Sequence, residues 1–128
     1  MNSKQFLLIG GVVLVLVGIL GFVGVIGPTP DKSLLGANWW FDNYENWAHL
    51  VLGIVALIAG FVFPAMVQRP ITLLVGVVGV AIGIYSIYNP DLLGANLENP
   101  ADTVLHIVVG LWALAAGLMD KGMKHHMA

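Results

Sequence analysis

The chain has 128 residues, of which 59% are hydrophobic and 9% are charged, with a net charge of −2 and a mean hydropathy of +0.91. A soluble domain carries about 25% charged residues, so this composition excludes a water-soluble globule, and the apolar content excludes a disordered chain. The lack of cysteine excludes disulfides and thiolate metal sites, and five basic residues with a negative net charge argue against a nucleic-acid partner. The composition indicates a small integral membrane protein.

Four apolar stretches without charged residues predict four transmembrane helices. A helix needs about 20 apolar residues to cross the hydrocarbon core of a bilayer. The stretches lack the period-two alternation of membrane-barrel strands. The predicted spans are 6–26, 48–66, 71–88 and 104–119. Because no Ala-x-Ala cleavage site follows the first span, we expect it to be a signal anchor rather than a cleaved signal peptide.

The basic residues fall mainly on one side of this four-span topology. Those on that side are Lys4, Arg69, Lys121 and Lys124, whereas the other side carries only Lys32. We place Arg69 in a short link between the second and third spans, where Pro64 is expected to end one helix and Pro70 to begin the next. The charge bias predicts that both termini and this link face the cytoplasm of a bacterial inner membrane.

Aromatic residues collect on the opposite side, just before the second span. This group consists of Trp39, Trp40, Phe41, Tyr44 and Trp47. Such rings are typical of the headgroup level, so an aromatic belt is the simplest interpretation. The alternative is an aromatic wall for a ligand in the outer leaflet.

The second half of the sequence repeats the first. Segment 34–38 is identical to 92–96, segment 45–60 aligns with 102–117, and the glycine pair Gly11 and Gly18 matches Gly76 and Gly83. Two spans per copy predict two tandem helical hairpins, 6–66 and 71–119, related by an axis along the membrane normal. Gly53 and Gly60 continue a small-residue stripe below His49, and the copy repeats it. Such stripes allow close helix contact, so we expect the second and fourth spans to meet along them.

Short motifs at the ends and starts of the spans are similar to those of a known family. They are 18–22 (GILGF), 46–50 (NWAHL) followed by Gly53, and 99–106 (NPADTVLH) followed by Gly110. Together they resemble a family of small bacterial four-span membrane proteins of unknown function, over about residues 6–119. Segment 90–94 also resembles the Pro-x-Leu-Leu-Gly turn of a second family of small membrane proteins. The resemblance implies the four-span topology and no activity.

The repeated acid–histidine pairs are the one polar constellation of the spans. Glu45 precedes His49 by four residues and Asp102 precedes His106 by four, a spacing that puts both members on one helix face. The simplest interpretation is structural: each acid orients its histidine or caps its helix. A second interpretation is a divalent metal site formed by all four residues.

A third interpretation of the pairs is haem ligation by His49 and His106 on facing helices. Gly53 and Gly110, one turn below, would then leave room for the porphyrin, although close helix contact explains the same glycines.

These observations predict an all-α membrane protein, a bundle of four transmembrane helices. We expect a non-enzymatic structural or accessory function without a cofactor. Its partners would be the lipid bilayer and either a second copy or a larger membrane complex. The alternative is a metal- or haem-binding protein that uses His49 and His106. A small transporter or channel is a third possibility, for which the spans show no polar path.

Overall fold

The structure is a computed structural model that describes residues 1–89, 91–92, 95–97 and 101–120. Its described part contains four helices that are long and apolar enough to cross a membrane, as the sequence predicts. They are α1 (Ser3–Phe22), α2 (Asn43–Val62), α3 (Ala65–Tyr88) and α4 (Ala101–Met119). Lys121 and Lys124, which support the predicted orientation, lie outside the described residues. The all-α, four-helix architecture is confirmed.

Short elements connect the helices at one end of the bundle. Two 3-10 turns, Pro30–Lys32 and Gly36–Asn38, lie between α1 and α2. Between α3 and α4, strand β1 (Asp91–Leu92) pairs antiparallel with strand β2 (Ala95–Asn96). We call this the loop end. The opposite end, called the termini end, carries the start of α1, the α2–α3 turn and the end of α4.

Polar capping residues start the first two helices ahead of their apolar runs. The Asn2 side chain accepts from the Gln5 backbone N–H at 2.8 Å, and Asp42 accepts from the Glu45 N–H at 2.9 Å. In both cases the third residue of the helix bonds back to the cap, which completes a capping box. The first turn of α2 is polar and precedes the apolar segment. For this reason α2 begins five residues before the predicted span.

The turn between α2 and α3 differs from the prediction. α2 ends at Val62, four residues before the predicted end of the span, and Pro64 is the N-cap of α3. Pro70 therefore lies inside α3 rather than at its first position, and Arg69 belongs to that helix rather than to a link. The apolar run continues across a tight turn, so hydropathy alone did not reveal the boundary.

The helices pack as two hairpins, α1 with α2 and α3 with α4. The predicted contact between the small-residue stripes of α2 and α4 is wrong. A Cβ on Gly53 would lie 2.8 Å from the Val15 backbone nitrogen of α1, and one on Gly110 would lie 2.6 Å from that of Val80 in α3. Each stripe thus receives the neighbouring helix of its own hairpin, while α2 and α4 share at most marginal backbone contact.

The two hairpins are joined by a small apolar core toward the termini end. Its buried members are Phe6, Leu7, Ala59, Ala113 and Ala116, with Ile71 and Trp112 packed against them. The Phe6 and Trp112 rings meet edge to face, with centroids 4.7 Å apart. The Ser3 backbone N–H donates to the Asp120 carboxylate at 3.1 Å, which ties the start of α1 to the residue that follows α4.

Candidate functional site

The four residues that the sequence singled out all lie in the first two turns of α2 and α4, toward the loop end. Glu45 is buried in the first turn of α2, where its carboxylate accepts from the Asp42 backbone N–H at 3.3 Å. This bond is the return half of the capping box, and a carboxylate at this position also complements the positive end of the helix dipole. Glu45 therefore has the capping role that the structural interpretation expected of it.

Asp102 connects the two hairpins. Its carboxylate is 1% exposed and accepts from the Trp39 indole N–H at 3.2 Å. Trp39 lies in the α1–α2 connection, so this bond fastens the loop of the first hairpin to the first turn of α4. A hydrogen bond to a buried carboxylate is charge-assisted and contributes more than one between neutral groups. Local sequence patterns do not indicate this contact, because the partners are 63 residues apart.

His106 is oriented by its own helix. Its Nδ1 lies 2.7 Å from the Asp102 backbone carbonyl oxygen, one turn earlier. Because a carbonyl oxygen can only accept, Nδ1 is the donor in this bond. The backbone of Asp102, rather than its carboxylate, thus orients the imidazole.

His49 is held against the loop of its own hairpin. Its ring meets the buried Phe41 ring edge to face, with centroids 5.1 Å apart. The His49 Nδ1 is buried and has no hydrogen-bond partner among the residues that the structure describes. His49 also interacts electrostatically with His106, so the structure brings the two imidazoles into one neighbourhood at the loop end.

The positions of these four side chains do not support the metal interpretation. Among the residues that the structure describes, no group of three or more His, Asp or Glu side chains is placed to hold a metal ion. Glu45 and Asp102 are instead committed to the α2 cap and to Trp39. The four-residue metal site stays a prediction, with two of its members engaged elsewhere.

The haem interpretation loses one of its two arguments. Gly53 and Gly110 were expected either to admit a porphyrin or to admit a neighbouring helix. A Cβ on Gly53 would lie 2.9 Å from the Gly11 carbonyl oxygen, and a Cβ on Gly110 would lie 2.9 Å from that of Gly76. Backbone of the same hairpin therefore occupies the space at both glycines, and only the histidine pair itself remains in favour of haem.

Asn46 is a buried polar residue that sequence reasoning did not single out. It is 0% exposed and lies against Gly21, where a Cβ would overlap the Asn46 amide. Its Nδ2 is 3.5 Å from the Phe41 carbonyl oxygen. Within the described part of the chain, its Oδ1 has no hydrogen-bond partner. The sequence signal for this contact is Gly21 near the end of one helix followed by the amide of Asn46 near the start of the next.

Comparisons of the chain with models of protein families, with curated proteins and with solved structures find no match. The resemblance to the four-span family therefore stays a prediction that rests on short motifs.

Proposed function

We propose that the chain is a non-enzymatic membrane protein of structural or accessory type, built from two tandem helical hairpins. It spans a bacterial inner membrane four times with both termini in the cytoplasm. It acts through helix contacts with a second copy or with a larger membrane complex. This proposal rests on one observation, the positions of the buried polar side chains along the helices.

These polar side chains occupy the outer thirds of the helices. The buried polar residues of the described chain are Ser3, Glu45, Asn46, Gln68, Thr72, Ser86, Asp102 and Thr103. The middle of each hairpin is instead packed through glycine, as at Gly11 with Gly53 and Gly76 with Gly110. Transport and redox sites are usually built from polar or ionisable groups within the bundle, whereas small-residue packing serves helix association. The arrangement therefore favours a scaffold.

Equivalent contacts in the two hairpins support the tandem repeat. Gly60 approaches the Leu8 side chain as Gly117 approaches Leu73, with the same Cβ-to-Cδ2 distance of 2.6 Å. Both pairs occupy matching places in the sequence alignment. Two hairpins of equal orientation follow from an even number of spans in each copy.

The proposal is tested by the mass of the protein in mild detergent and by covalent cross-linking in native membranes. We expect a dimer or a stoichiometric complex with another membrane protein. A monomer that carries no partner in either experiment would overturn the association. A reporter fused after Lys124 tests the topology separately, and a periplasmic signal would contradict it.

A second candidate function is cofactor binding at the two histidines. The buried Nδ1 of His49, which has no hydrogen-bond partner among the described residues, favours it. An absorption spectrum and a metal analysis of the purified protein, beside the double variant His49→Ala with His106→Ala, decide the matter. A Soret band or stoichiometric metal that the variant loses would replace the scaffold proposal. A colourless, metal-free protein would leave the histidines as interfacial groups.

A further inference from the structure

The α2–α3 turn is the most apolar exposed segment at the termini end. Residues 61–67 contain no charged or hydrogen-bonding side chain. Phe61, Val62 and Met66 are 73%, 71% and 62% exposed. The connection at the loop end is different, since Asp31 and Lys32 are exposed there. The two kinds of connection are therefore suited to different surroundings.

Several backbone groups at this turn are paired within the protein. Pro64 has no N–H, and its carbonyl oxygen accepts from the N–H groups of Val67 and Gln68 at 2.9 and 3.1 Å. The Gln68 side chain, only 5% exposed, donates to the Ala59 and Gly60 carbonyl oxygens at the end of α2, both at 3.1 Å. A helix end in contact with water has no need of such a buried amide, whereas one in hydrocarbon must pair its carbonyls internally.

The polar residues that follow the turn also face the protein. Arg69 is half-buried, and its Nε donates to the Gly117 carbonyl oxygen near the end of α4 at 2.8 Å. Its guanidinium is thereby bonded to the last part of α4. A long basic side chain that reaches a polar level while its stem stays in apolar surroundings is typical of the membrane interface.

The length of α2 agrees with a turn that does not leave the bilayer. From Trp47, an exposed aromatic residue near the loop end, to Val62, the apolar part of α2 has 16 residues. At 1.5 Å per residue this part is about 24 Å long, which falls short of a hydrocarbon core of about 30 Å.

We propose that residues 61–67 lie among the acyl chains of the leaflet at the termini end, in contact with lipid rather than with water or a partner protein. This inference rests on the proposed membrane-spanning topology. The turn is then an apolar segment inserted into the leaflet, and the hydrogen bonds of Gln68 and Arg69 fix its conformation.

The absence of cysteine from the chain allows a clean test with single nitroxide labels. Phe63→Cys and Val62→Cys place the label on the turn, and the second variant serves if the first does not fold. Val55→Cys, which is 51% exposed in α2, provides the lipid-facing reference, and the exposed Lys4 provides a water-facing reference at the same end as Lys4→Cys. The purified protein is reconstituted in phosphatidylethanolamine–phosphatidylglycerol vesicles. Spin relaxation by oxygen, which concentrates in lipid, and by a water-soluble nickel chelate is then measured.

We expect the turn labels to show oxygen relaxation as strong as at position 55 and nickel relaxation several-fold weaker than at position 4. Strong nickel relaxation at the turn, with position 55 still lipid-like, overturns this inference alone. Weak relaxation by both reagents at the turn also overturns it, because a second copy of the protein would then cover the segment. Strong nickel relaxation at position 55 refutes the membrane-spanning topology itself.

Discussion

The two hairpins of this protein use the same backbone contacts with different polar partners. Gly18 of the first hairpin lies against the Asn46 carbonyl oxygen, and Gly83 of the second lies against that of Thr103, with the same Cβ-to-oxygen distance of 3.0 Å. One helical turn further along, the side chains diverge. The comparison shows that close helix approach constrains the glycines more tightly than it constrains the buried polar groups beside them.

The divergence is a paired exchange. In the first hairpin Gly21 leaves space for the amide of Asn46. At the matching positions of the second hairpin, Ser86 and Thr103 fill the space with two hydroxyl groups that hydrogen-bond to each other. A larger side chain on one helix is thus accommodated by a smaller one on the other, as expected for a densely packed interior.

The largest effect is expected from breaking both glycine contacts at once. Gly53→Ala and Gly110→Ala each press a Cβ onto the backbone of the neighbouring helix, which costs about 1–3 kcal/mol of unfolding free energy. Because the sites belong to separate hairpins, the double variant should lose about the sum. Unfolding in mixed detergent micelles measures these losses.

A matched control for the glycine variants is Gly10→Ala. A Cβ there would meet only the Phe6 ring, at 3.9 Å, so stability should not fall. Unequal losses for Gly53→Ala and Gly110→Ala would show that the two hairpins are not equivalent in packing.

The paired exchange predicts a rescue. Gly21→Ser alone overlaps the buried Asn46 amide and should cost up to about 3 kcal/mol. Adding Asn46→Thr gives the first hairpin a serine–threonine pair like Ser86 and Thr103 of the second. The double variant should therefore recover most of the lost unfolding free energy. The same unfolding measurement on both single variants and the double variant gives their coupling energy. Purely additive losses would mean that the two hairpins differ in backbone geometry at this level.

A smaller effect is expected at the termini end, where Ser3 and Gln68 occupy matching places. Gln68→Leu leaves the Gly60 carbonyl oxygen without the amide donor and should cost about 2 kcal/mol. Ser3→Ala is the control, because the Ser3 hydroxyl bonds to none of the residues in the described ranges. Equal stability of the two variants would contradict a specific role for the Gln68 amide.

The smallest effect is expected from Ser86→Ala. The change removes the hydroxyl that hydrogen-bonds to Thr103 and also donates to the Gly83 carbonyl oxygen of its own helix. A neutral hydrogen bond is worth about 1 kcal/mol. The additional replacement Thr103→Val removes the second hydroxyl and should cost little more, since no partner is then left unpaired. A large further loss on thermal unfolding of the double variant would show that Thr103 has another role.

The four helices were predictable because long apolar runs have few other stable arrangements in a membrane. Their ends were less predictable. The polar residues Asp42 and Glu45 belong to α2 through its cap, and the apolar run at Pro64 continues through a turn. Hydropathy reports which environment a segment prefers, not where its backbone reverses direction.

The candidate site was predictable in composition but not in arrangement. The repeat identified His49 and His106, and the structure places them in one neighbourhood. It did not show which helix each glycine stripe would contact, since a small-residue stripe indicates close approach without naming the partner. Nor could local spacing reveal that the Trp39 indole would donate a hydrogen bond to the Asp102 carboxylate, because that contact depends on how the hairpins pack against each other.

The bond between the Ser3 backbone N–H and the Asp120 carboxylate means that the start of α1 and the residue after α4 lie side by side at the termini end. The order of the hairpins along the chain is therefore not imposed by their packing. A circular permutant that begins at Pro64, joins Asp120 to Asn2 through a short linker and finishes at Phe63 would retain both hairpins intact. Only the α2–α3 turn would be opened, so the permutant separates the contribution of that turn from the contribution of the helices.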